Sequence, residues 1–161
     1  MQSDAEDRLA DANLLAQSAS KQSDADYLLR LLAFELLLKA VLQVHVGEAG
    51  RSHSYPKLFG SLPKMVRDRL MDLAAERMCG SADYGAVDEL LDVFESNFVK
   101  LRYPYEAYEG FSESEFRRLG QEWKDAGFPT EEAVFVYHPL ELEGLIYGLQ
   151  LVLRTWLVTG R

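Results

Sequence analysis

The chain has 161 residues, 48% of them apolar and 27% charged, a globular composition that excludes disordered, collagen-like and disulfide-scaffold classes. A single domain over residues 1–161 is the natural expectation at this length. The formal net charge of −9 argues against a free-standing nucleic-acid binder, whose affinity comes mainly from Lys and Arg neutralising phosphates, and leaves room only for a local basic site.

Cys79 is the single cysteine, so no internal disulfide forms and a cytoplasmic setting is expected. The opening MQSDAEDRLAD is acidic where a signal peptide would be basic and then apolar, so no export signal is expected. A first helix is predicted from Ser3, with Glu6 completing a Ser-x-x-Glu capping box and Leu9, Ala12 and Ala16 sharing a face. The polar stretch Ser18 to Ser23 reads as a turn. Ser23 is the expected N-cap of a second helix over Ala25 to Val46, with Asp24 and Asp26 at its positive end. That helix is apolar almost all round, at Leu28, Leu32, Phe34, Leu36, Leu38, Val41 and Leu42, which predicts a buried, central position. Arg30, Glu35 and Lys39 interrupt it and would be expensive at bilayer depth, so no membrane span is expected.

Gly47 and Gly50 end the second helix, and HSYPKLFGSLP follows as a connector whose short helical turn carries Leu58 and Phe59. Pro63 suits the first turn of a third helix, in which Met65, Val66, Leu70, Leu73, Ala74 and Met78 recur at helical spacing before Gly80. A fourth, clearly amphipathic helix carries Val87, Leu90, Leu91, Phe94, Phe98 and Leu101 on one stripe. Its acids come first and Lys100 and Arg102 last, as the helix dipole favours. Pro104 disfavours helical geometry at Tyr103, so this helix should end or kink near Arg102.

The least regular stretch lies at about 103–138. It holds the run YPYEAYEGF, a charged short helix near Ser114 to Lys124, a Gly-Phe-Pro turn, and Ala133 to Tyr137, read as extended loop because a lone strand lacks a partner. The last helix is predicted from Pro139 to about Leu157, with Leu142, Leu145, Ile146, Leu149, Val152, Leu153 and Trp156 inward. Gly144 and Gly148 form a smooth strip on it, for a helix of the same chain or of a second copy. The expected fold is all-α: a compact bundle of about five main helices with a very apolar central helix and short connecting helical turns.

Three places hold candidate chemistry. Glu35 and Lys39 lie four apart, acid first, inside an apolar helix, so they need partners: each other, Arg102 or backbone. The functional reading is a ligand pocket, and the plain reading is a satisfied ion pair. Arg102, Tyr103, Pro104, Tyr105 and Glu106 offer a fixed cation, stacking surfaces and a carboxylate, suited to a phosphate or a base; the plain reading is a helix-terminal arginine paired with Glu106. His45, His53 and His138 show no metal-ligand spacing, and HExxH, CxxC, phosphate loops and GxSxG are absent from the sequence, so neither metal nor cofactor is expected. Capping or packing is the ordinary role for His53 and His138.

FELLLKAVL at Phe34 to Leu42, HSYPKLF at His53 to Phe59 and FVKLRYPYE at Phe98 to Glu106 together resemble the HEPN superfamily (higher eukaryotes and prokaryotes nucleotide-binding). The resemblance covers most of Ala25 to Glu106 and, more loosely, the final helix. It implies a helical bundle of prokaryotic toxin-antitoxin and phage-defence systems. In active members it implies a dimer whose paired Arg-x4-6-His motifs cut RNA without metal, the histidine taking a 2'-hydroxyl proton and the arginine steadying the phosphate.

Here only the Arg102 half is present: Ala107, Tyr108 and Glu109 occupy the histidine positions, and a carboxylate beside a guanidinium, as at Glu106, is a poor base. The sequence therefore favours a non-cleaving HEPN-like homodimer that binds RNA, a nucleotide or a cognate toxin or antitoxin protein in a defence or stress module. Arg102, Tyr103, Tyr105, Glu35, Lys39 and His53 are its candidate ligand residues. The alternatives are a metal-independent ribonuclease with a nonstandard base, with Arg102 and Glu106 the catalytic candidates and Tyr105 or His138 in play, and an acidic interaction scaffold without a small-molecule site.

Overall fold

A computed structural model describes residues 1–18, 24–103, 105–106, 109–127, 133 and 135–159. These residues form seven helices and no strand: α1 (Gln2–Ser18), α2 (Ala25–Val46), α3 (Tyr55–Gly60), α4 (Lys64–Arg77), α5 (Val87–Lys100), α6 (Glu113–Asp125) and α7 (Pro139–Thr159). Among them, no helix is long and apolar enough to cross a membrane.

Burial on α2 runs through Ala33, Phe34 and Glu35, Leu37 and Leu38, then Ala40, Val41 and Leu42. Successive residues turn by about 100°, so these runs face in several directions, and the helix meets α1, α3, α5 and α7. Gly47 stops it in the left-handed region at φ 91°, its N–H returning to the Gln43 carbonyl, a conformation that costs residues with a β-carbon. Phe34 anchors the packing edge-on, with ring centroids 5.4 Å from Tyr55 of α3 and 5.9 Å from Phe94 of α5. Each such pair contributes about 0.5–1.5 kcal/mol beyond its burial.

α1 lies back along α2, burying Ala5, Leu9 and Ala12 while Asn13 accepts from Arg30 at 2.7 Å. α7 runs parallel to α2. Tyr137, just before α7, packs on Tyr27 near the start of α2, and Trp156 meets His45 near its end. α4 runs antiparallel to α7: Gly148 faces Leu70 and Gly144 faces Ala74 and Met78. The glycine strip is thus covered within the chain.

Several local expectations need correction. Ser3 lies inside α1 rather than capping it: the terminal ammonium of Met1 pairs with Asp4 at 2.7 Å, and Glu6 accepts from the Gln2 side chain instead. Met65 is 85% exposed, because the inward face of α4 is set by Leu70, Leu73 and Ala74 against α7, and Met65 lies beyond that contact in the first turn. Pro63 stands at the N-cap position of α4, one residue before its first turn. Trp156 sits half-buried at the edge of the core rather than within it. The expectations placed on Ser23, Pro104, Ala107, Tyr108 and the Phe128 and Pro129 part of the turn fall outside the described residues.

Candidate functional site

α2 sets Glu35 and Lys39 one turn apart on the side that faces the connector. Lys39 Nζ lies 2.9 Å from Glu35 Oε1, with the two side chains 13% and 5% exposed. Gly47 and Gly50, both at positive φ, let the chain double back from the end of α2. This return brings His53, 18 residues beyond Glu35, to the same carboxylate oxygen, with Nδ1 2.8 Å from Oε1. The Ser54 N–H donates to Ser52 Oγ, fixing the loop on either side of the histidine. Glu35 is thus nearly buried while the His53 ring that it holds is 77% exposed.

Tyr55 opens α3 and is fully buried. Its N–H donates to Glu95 Oε2 on α5 at 3.0 Å, and its hydroxyl donates to the Leu31 carbonyl on α2 at 3.1 Å. On its other side lies Phe98, with ring centroids 6.2 Å apart. The Arg102 guanidinium sits 4.7 Å over the Phe98 ring, and its Nε donates to the Phe98 carbonyl at 3.0 Å. Burial pushes the Tyr55 hydroxyl far above its ordinary range, and the carboxylates of Glu35 and Glu95 push it further while Arg102 opposes them. Tyr55 is therefore the common neighbour of both charged groups, at a rim where α2, α3 and α5 meet.

No family model, curated protein or solved structure matches this chain.

The residues singled out in the sequence fall into two groups. Glu35, Lys39 and His53 share one carboxylate oxygen; His53 neither caps nor merely packs, since its ring is tied to α2. Arg102 stands apart from that cluster, and among the described residues it forms no ion pair, so the pairing with Glu106 is not made. Glu106 instead donates its backbone N–H to the Tyr103 carbonyl. Tyr103 and Tyr105 are 48% and 67% exposed with their rings edge to face at 6.3 Å, an open surface beyond the end of α5. His138 lies near Glu141 at the start of α7, remote in sequence from both groups.

Sequence reasoning missed Tyr55, Glu95 and Phe98 as parts of this rim. Phe98 and Arg102 are four apart on one helix, the spacing at which side chains touch, so that contact had a signal. The contact between Tyr55 and Glu95, 40 residues apart, had none. A shallow groove of about 310 Å³ lies elsewhere on α5, between Asp92, Ser96, Lys100 and Val136; neither Arg102 nor His53 lines it. Among the described residues no group of His, Cys, Asp and Glu side chains is placed to hold a metal ion.

Proposed function

We propose that this chain is an HEPN-like, non-cleaving cytoplasmic protein that works as a homodimer in a prokaryotic toxin-antitoxin, defence or stress module and binds a phosphate-bearing ligand, a nucleotide or RNA. In this reading α1, α2, α4, α5 and α7 are the five main helices of the bundle and α2 is its apolar centre. The observation that supports it most is the posture of Arg102. One nitrogen of the fork is spent on the Phe98 carbonyl and one face on the Phe98 ring, so the guanidinium has an ordered position. Its terminal nitrogens make no hydrogen bond or ion pair with the described residues, and the guanidinium fork matches two phosphate oxygens. The exposed rings of Tyr103 and Tyr105 supply stacking surface for a base.

The non-cleaving half rests on the sequence beyond Arg102, where no histidine follows until His138. Arg102→Ala tests the proposal: ligand affinity or dimer affinity should fall by about 1.5–3 kcal/mol, the worth of a charge-assisted bond, with helicity unchanged. Unaltered binding and unaltered solution mass would remove it.

A second reading, a metal-independent ribonuclease with a nonstandard base, is favoured by one observation, the Glu35 carboxylate behind an exposed His53 imidazole. It requires that purified protein degrade a mixed RNA pool without divalent metal and that Arg102→Ala abolish the degradation; an intact pool rejects it.

A further inference from the structure

Glu35 constrains more than the position of His53. As the ion-pair partner of Lys39, its carboxylate oxygen can only accept hydrogen bonds. The nitrogen of His53 that meets it at 2.8 Å must therefore carry the proton. A neutral imidazole has one N–H, so placing it on Nδ1 leaves Nε2 with a lone pair. The ring is 77% exposed, which turns that lone pair outward at the rim. Protonation changes only the outward nitrogen: Nδ1–H continues to donate to Glu35, and Nε2 becomes an N–H donor on a cationic ring.

We propose that His53, oriented by the paired Glu35 and Lys39, forms an oxyanion site whose affinity is set by the proton on its outward Nε2, and that its ligand is the tetrahedral phosphate group of the ligand proposed above. The inference rests on that reading and specifies how the ligand is held. In the neutral state the outward lone pair opposes a phosphate oxygen and accepts instead from water or a hydroxyl. In the protonated state Nε2–H donates a charge-assisted bond to the anion, while the Lys39 ammonium stays paired with Glu35. The other charged groups at the rim are Glu95 and Arg102 on α5, and the Tyr55 phenol lies beneath. Glu35 is neutralised by Lys39. The proton on His53 thus adds one positive charge on the outward side of the Glu35–Lys39 pair.

Sulfate is the probe, because its charge does not change across the range in which histidine titrates. Its binding to the full-length chain is measured by calorimetry at about pH 5.5 and about pH 8. The expected result is binding about tenfold tighter at the lower pH, as one charge-assisted bond would give. That difference should vanish in His53→Gln, which keeps a side-chain amide but cannot take up a proton.

Nitrogen-15 spectra of the imidazole provide a readout independent of ligand. The unmodified chain should show the Nδ1–H tautomer at high pH, and Glu35→Gln should mix the tautomers. Equal affinity at both pH values, an undiminished difference in His53→Gln, or an Nε2–H tautomer in the unmodified chain overturns the inference. Sulfate binding that is insensitive to pH and His53 but lost in Arg102→Ala rejects this inference and leaves the Arg102 reading standing. Binding that depends on His53 and ignores Arg102 does the reverse.

Discussion

A β-carbon on Gly148 would lie 2.9 Å from the carbonyl oxygen of Leu70, so at this point α7 touches the backbone of α4 rather than its side chains. Gly148→Ala must push the two helices apart. A loss of about 1–3 kcal/mol is expected, the usual cost of overpacking, read as a lower thermal midpoint. Gly120→Ala on α6 is the control: nothing lies within 4 Å of its added carbon, so helix propensity should stabilise α6 by up to about 1 kcal/mol. Equal effects of the two substitutions would contradict the close contact.

The ion pair on α2 makes a different prediction. Glu35→Ala leaves the Lys39 ammonium, only 13% exposed, without its carboxylate and cuts the tether to His53. Removing one partner of a buried pair costs about 3 kcal/mol. Glu35→Leu combined with Lys39→Met should recover much of that stability, because neither charge is then stranded. A double variant as unstable as the sum of the singles would show that the pair is not coupled.

Burial pushes the hydroxyls of Tyr27 and Tyr84 up from the ordinary phenol value of 10.0 to about 12. The folded chain then keeps protons that the unfolded chain releases first. Their contribution to stability is complete below about pH 10 and is lost as pH rises toward about 12. Phenolate absorbance from these residues should therefore rise together with the loss of helical circular dichroism. Tyr27→Phe and Tyr84→Phe should each flatten the alkaline fall in stability; an unchanged profile in both variants would contradict the assignment.

α6 opens on a local cap. Ser112 and Glu115 form a reciprocal capping box, and the helix buries no residue. Ser112→Ala should weaken α6 by about 1 kcal/mol and speed amide exchange within Glu113–Asp125. The global melting midpoint should not move, since the packed helices do not depend on this cap. A cooperative loss of the whole fold would mean that α6 is coupled to the core.

The spans of α2, α5 and α7 were legible in the sequence because their information is local: apolar residues at helical spacing, Gly47 at an end, Pro139 at a beginning. The ion pair of Glu35 with Lys39 was legible for the same reason, being one turn long. Met65 misled because periodicity marks a face without saying how far the neighbouring helix extends along it.

What the tertiary structure alone decided are the meetings between distant segments. Gly144 and Gly148 announced a close approach, but only the antiparallel placement of α4 shows that a helix of the same chain fills it. His53 read as a capping or packing residue, or a candidate ligand residue with no partner named, until the left-handed turns at Gly47 and Gly50 brought it back to Glu35. Helix formation is governed by interactions a few residues apart, which a sequence displays directly. The pairing of a carboxylate with an imidazole depends on the path of the intervening loop and on which surface of α2 the other helices leave uncovered, and those are properties of the packed chain.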